Sequence, residues 1–184
     1  IGRKRHHISE VTQLQSDGSR YIYGIPAMNN LQREVTFSVN GGNTATELAS
    51  YSGTDDSRSN ASGVDNYYSA TITPSYAHSY LLTSVLSADY SDITGNGPSD
   101  DDMGTFTKFN YTLKNADYRW KTPYQQDSAQ YNKGFLCDTK DDKASYMAGS
   151  RELWHLHSIE TKNFVAEFYV SSRLMLHKTI NIRE

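Results

Sequence analysis

Six consecutive residues, Glu34-Val35-Thr36-Phe37-Ser38-Val39, alternate polar and apolar without a break. No other feature constrains the fold of this chain as much. Successive side chains of a strand point to opposite faces, so Val35, Phe37 and Val39 share one face that must be covered. The neighbouring residues read the same way. Residues Ile8 to Leu14 read as strand, and Asp17-Gly18-Ser19 is a turn signal between Val11-Thr12-Gln13-Leu14 and Arg20-Tyr21-Ile22-Tyr23. Tyr21 and Tyr23 then share one face and Ile22 takes the other. Gly24-Ile25-Pro26 is expected to interrupt the ladder, because Pro26 has no N–H to donate.

Further along, the β-branched and aromatic content of Ala77–Leu86 favours strand. Thr105–Thr112 is the cleanest strand, with Phe106, Lys108 and Asn110 on one face and Thr107, Phe109 and Tyr111 on the other. Tyr118-Arg119-Trp120 is expected to start a separate short strand that Pro123 ends. Asp138 to Lys143 reads as a charged turn, and Arg173 to Ile182 alternates again. Glu152–Ser158 and Phe164–Val170 look like a strand pair joined through Ile159–Asn163. The expected fold class is mainly β: antiparallel strands and hairpins with long polar loops and little helix. The expected organisation is three-part: N-terminal strands over 1–39, an exposed polar loop or insertion over 40–66, and a β-rich remainder over 67–184 with an acidic loop at 89–104.

Composition narrows the function classes. The chain has 14 Tyr against 6 Phe and 2 Trp. Tyrosine carries an apolar ring with a polar tip and suits half-wet sheet faces. A net charge of −3 and a pI of about 6.1 point away from nucleic acid and from anionic membrane surfaces. The basic run Arg3-Lys4-Arg5-His6-His7 reads as a solvated linker. One cysteine, Cys137, leaves no intrachain disulfide. No apolar stretch is long enough for a membrane span. The first residue is Ile1 and the last is Glu184, so the expectation is a segment excised from a longer chain, with any export signal lying outside it.

The most specific local pattern is Asp92-Ile93-Thr94-Gly95-Asn96-Gly97-Pro98-Ser99-Asp100-Asp101-Asp102. Oxygen-bearing side chains fall at relative positions 1, 3, 5 and 9 with glycine at 6, the spacing by which a tight loop wraps Ca²⁺. Asp92, Thr94, Asn96 and Asp100 would supply side-chain oxygens. The Pro98 carbonyl would add a backbone oxygen, and Asp102 or Asp101 would close the shell. The twelfth position is Met103, so the bidentate glutamate of an EF-hand is absent. The pattern is closer to the calcium loops between strands of extracellular modules. The competing reading is an acidic turn held by Asx hydrogen bonds.

Weaker patterns follow. Trp154-His155-Leu156-His157 places two imidazoles on one strand face, where Glu160, Glu167 or Cys137 would have to complete a zinc site. Cys137 has no flanking pattern of a nucleophile, and there is no P-loop and no G-x-G-x-x-G. Asn60-Ala61-Ser62 and Asn110-Tyr111-Thr112 match the N-glycosylation acceptor, and Asp127-Ser128-Ala129 resembles an O-glycosylation acceptor of some Bacteroidota.

Two longer resemblances involve most of these runs. Asp17 to Asn30 with Glu34–Val39, Tyr80 to Tyr90 with its acidic loop, Lys108–Thr112 and Glu152–Glu160 together resemble segments of very large secreted Bacteroidota proteins. More distantly, Gly18, Tyr21 and Tyr23 are similar to RHS/YD-repeat proteins, including B and C components of insecticidal toxin complexes, although Gly24 stands where those repeats carry Asp. The resemblance implies a non-catalytic structural or binding segment of a large secreted or cell-surface bacterial protein, exported by a type IX or similar route. Two further readings are an RHS-like shell segment of a polymorphic toxin and a carbohydrate-binding β-domain. The implied partners are the remainder of the parent chain or assembly, and glycans. No nucleic acid and no direct membrane span are implied.

Overall fold

A computed structural model of the chain describes residues 5–132 and 142–171. Every regular element among them is a strand, and the pairings of β1 with β2, β2 with β7, β7 with β8, β3 with β5 and β6, β9 with β4 and β10, and β10 with β11 are antiparallel. The strands are β1 (Val11–Leu14), β2 (Arg20–Tyr23), β3 (Ile25–Ser38), β4 (Leu48–Ser50), β5 (Tyr68–Thr73), β6 (Tyr76–Leu81), β7 (Ser84–Leu86), β8 (Phe106–Thr122), β9 (Ser128–Asn132), β10 (Lys143–Thr161) and β11 (Val165–Glu167). Hydrogen-bonded neighbours follow β1-β2-β7-β8-β10-β3-β5, with β11 on β10, β6 on β3, β9 on β10 and β4 on β9. Among the described residues no helix is long and apolar enough to cross a membrane.

The chain divides into two compact units. The first holds residues 5–30, 75–118 and 151–171, and the second holds 31–74, 119–132 and 142–150. The strands β3, β8 and β10, of 14, 17 and 19 residues, contribute to both. Most strands in globular proteins run to 3–10 residues, so these three are long.

In the first unit β1 and β2 form the expected hairpin, with Val11 opposite Tyr23 and Leu14 opposite Arg20. Gly18 makes the turn at φ +85°, and its N–H donates to the Gln15 carbonyl at 3.0 Å. The ladder breaks only at Gly24. Pro26 sits inside β3 opposite Tyr80, near the strand start where a missing N–H is tolerated. The apolar cluster here is small: Leu86, Tyr90 and Phe106, with Ile22 packed on them, and Ala27 and Met28 are buried on β3.

The second unit buries the alternating row as expected. Phe37 is 0% exposed, and Val35 and Val39 are buried beside it. Ala49, Ala129, Ala144 and Tyr146 complete this core. Residues 40–66 differ from a plain exposed loop, although most of them face solvent. Their Leu48–Ser50 stretch is β4, paired with β9, and Ala49 is fully buried. The Asn60 amide nitrogen donates to the carbonyls of Ser38 (3.1 Å) and Tyr67 (3.0 Å), which ties the segment to β3. Two strands also differ from expectation: Ala77–Leu86 is divided between β6, on β3, and β7, between β2 and β8, whereas β8 continues unbroken from Phe106 to Thr122 where two strands are expected. The expected pair in the last third is present as β10 and β11, with Ser158 opposite Glu167. The charged turn at Asp138–Lys143 lies outside the described residues up to 141, and so do Cys137 and the alternating run from Arg173.

Candidate functional site

The acidic loop joins β7 to β8 in the first unit and closes by an isolated bridge between Ser91 and Met103. Its centre is Asp102, 3% exposed. One Asp102 oxygen, Oδ2, accepts the Tyr90 hydroxyl at 2.6 Å and the Ser99 N–H at 3.0 Å, and Oδ1 accepts the Ile93 N–H at 3.1 Å. These donors, the Tyr90 hydroxyl first, hold the Asp102 carboxyl below the usual aspartate range. Burial, then the Asp102 carboxylate, pushes the Tyr90 phenol far up. Arg20 lies over the Tyr90 ring at 5.7 Å and donates to the Tyr90 carbonyl at 2.8 Å. The Lys162 ammonium donates to the Asp102 carbonyl.

Asp92 works the same way at the outer turn. Its two oxygens accept the N–H groups of Gly95 (2.6 Å) and Gly97 (2.9 Å), and both glycines have positive φ, +74° and +84°. The Ser99 hydroxyl donates to Asn96 and to Asp101. Asp92, Asn96 and Asp102 are thereby brought into one loop, with their oxygens directed at the loop's own N–H and O–H groups. A calcium ion would compete with those donors for the same oxygens. Among the described residues no three His, Cys, Asp or Glu side chains are grouped as a metal site.

The remaining candidate residues are placed as follows. His155 and His157 do share a face of β10. They line a hollow of about 240 Å³ with Thr112, Lys114, Phe168 and Tyr169. Glu160 is directed elsewhere and accepts the Asn110 amide at 2.7 Å, and Glu167 accepts the Tyr169 hydroxyl. Both N-glycosylation asparagines use their amide nitrogens internally, Asn60 as above and Asn110 toward Ser158 (3.0 Å) and Glu160. Ser128 is buried. Glu152, also buried, accepts the Trp154 indole N–H at 3.0 Å and the Met28 N–H at 3.2 Å.

A groove in the first unit is one feature that sequence reasoning missed. The register sets Tyr21 opposite Val85 and Val85 opposite Thr107, so these three form a row across β2, β7 and β8. Cross-strand partners share a face, and this face is opposite to that of Leu86 and Phe106. A groove of about 480 Å³ runs over it. Ser87, Thr105, Thr107, Asp17, Lys162 and Asn163 are among the polar residues that line it.

No family model matches the chain, and no curated protein or solved structure is detectably similar to it.

Proposed function

We propose that this chain is a non-catalytic structural and binding segment of a larger extracellular or cell-surface bacterial protein. One observation carries the reading: its acidic side chains act as braces for its own loops. Asp17 accepts the N–H and hydroxyl of Ser19, Asp55 accepts those of Ser52, and Asp65 accepts the Ser38 hydroxyl and the Tyr67 N–H. Asp92 and Asp102 brace the acidic loop in the same manner. Carboxylates engaged this way are acceptors in a rigid frame and are not free to carry protons in a reaction. Long polar loops stiffened from within, on strands as long as β8 and β10, suit a segment that presents surface to solvent and to the rest of a parent chain. A shell segment of the RHS type would use the same construction.

The test is protease shaving of intact cells that produce the whole parent protein, followed with an antibody against this segment. The expected result is loss of the epitope from intact cells. Survival of the epitope until the cells are lysed would contradict the proposal.

A further inference from the structure

We infer that the open face formed by Tyr21, Val85 and Thr107 binds a neutral oligosaccharide. The inference goes beyond the scaffold reading and stands or falls separately from it, because a glycan site can be assayed wherever the parent protein resides. Three features converge there. The volume of about 480 Å³ lies within the range of small-ligand sites. The Tyr21 ring lies in the face of the sheet rather than in the core, and an aromatic ring beside hydroxyls offers a sugar both an apolar surface and hydrogen bonds. The Tyr21, Thr105 and Thr107 hydroxyls and the Asn163 amide make no hydrogen bond within the described residues, so donors and acceptors of both kinds are open to a ligand.

Charge sets the ligand class. The Asp17 carboxylate is held by Ser19, and hydrogen bonds from Ser19 keep its proton affinity low. The lysine among the lining residues, Lys162, already donates to the Asp102 carbonyl. Lys162 keeps its charge in that bond, so one anion and one cation balance among the lining residues, and a ligand without net charge is the fitting class. The hollow beside His155 and His157 has Lys114 and no carboxylate among its lining residues, and serves as an internal comparison.

The site is also preformed. The loop that flanks it is braced by Asp102, and the Ser87 hydroxyl donates to Asp89 at 2.6 Å while accepting the Thr105 N–H at 2.8 Å. Little ordering is then left to offset binding.

The experiment is an array of neutral and acidic oligosaccharides probed with the intact chain, followed by calorimetry on the strongest hit. The expected result is binding to a neutral glycan. Tyr21→Ala should weaken it about tenfold, and Thr107→Val and Asn163→Ala about fivefold each. Tyr169→Ala, in the other hollow, should leave it unchanged. If Tyr21→Ala fails to fold, Tyr21→Phe keeps the ring and should still weaken binding about fivefold at an unaltered Tm. The inference is overturned by no neutral hit at millimolar sugar, by preferential binding of acidic sugars, or by loss of binding in Tyr169→Ala with Tyr21→Phe and Thr107→Val unaffected.

Discussion

The two units of this chain are stabilised by different physics. In the second, apolar burial dominates. Phe37 is enclosed by edge contacts to Tyr51 (5.2 Å) and Tyr146 (6.2 Å), and those two tyrosines stack at 5.5 Å with their planes 4° apart. Cations complete the cluster. Lys121 lies 5.0 Å from the Tyr146 ring centre and 5.5 Å from that of Tyr51, and Arg33 lies 5.8 Å from Tyr146. The Lys121 ammonium also donates to the carbonyls of Pro123, Gln125 and Ser128, and burial pushes its proton affinity down. Asp56 accepts the Tyr146 hydroxyl at 2.6 Å and pairs with Arg33 at 3.6 Å. In the first unit the apolar cluster is only Leu86, Tyr90 and Phe106, with Ala27 and Met28 buried on β3, and a carboxylate with three donors holds the loop between β7 and β8. A dry core needs its sheet face covered. A braced loop leaves the opposite face of the sheet open, and the groove lies in the first unit.

The largest expected effect is on the dry core. Phe37→Ala removes a fully buried ring and should cost about 3–5 kcal/mol, measured by denaturant unfolding. Hydrogen exchange should lose protection first at β4, β5 and β9. Equal loss at β1 and β2 would mean that the two units unfold as one, and the contrast in their stabilisation would have no thermodynamic meaning.

Much of this contrast was legible in the residues, but unevenly. The β1–β2 hairpin and the Val35, Phe37, Val39 row follow directly from a period of two and one glycine turn. The continuous β8 does not, because Lys114-Asn115-Ala116-Asp117 has no apolar alternation and is carried by strand pairing. The anchoring of residues 40–66 is equally silent. Asn60 acts through its side-chain amide on two carbonyls, and such bonds leave no periodic trace. The acidic loop shows a deeper ambiguity, since the same Asp, Asn and Gly spacing serves a metal cage and a set of Asx turns. The Tyr21, Val85, Thr107 row is invisible in one dimension, because it exists only once the register of three strands is set.

A smaller effect concerns pH, and it acts from both sides. Hydrogen bonding, above all from the Ser38 hydroxyl, brings Asp65 down to about 2 from an ordinary 3.8. A depressed carboxylate stabilises the fold above its unfolded pKa, and that stability is lost as pH falls through the folded value. Asp102 shifts in the same direction. Tyr51 is pushed up to about 12 from 10, mainly by burial. Its contribution is full below pH 10 and is lost as pH rises toward 12. Thermal unfolding followed from pH 2 to 12 should therefore show a plateau with falls between about pH 4 and 2 and above about pH 10. Replacing Asp65 with Asn should flatten the acid limb and leave the alkaline limb in place. An acid limb unchanged by that substitution would show that Asp65 does not set the acid stability of the fold.

The acidic loop is closed by its own side chains, so that the face beside it is formed in advance. Amide hydrogen exchange at Ile93, Gly95, Gly97 and Ser99 in metal-free protein tests this most directly, with Asp102→Asn and added calcium as the two perturbations. All four amides should be protected without metal. In Asp102→Asn, protection should fall at Ile93 and Ser99 and persist at Gly95 and Gly97, with calcium adding nothing. Amides that exchange freely in the metal-free protein and become protected only at millimolar calcium would contradict this closure, and would make the loop a metal site.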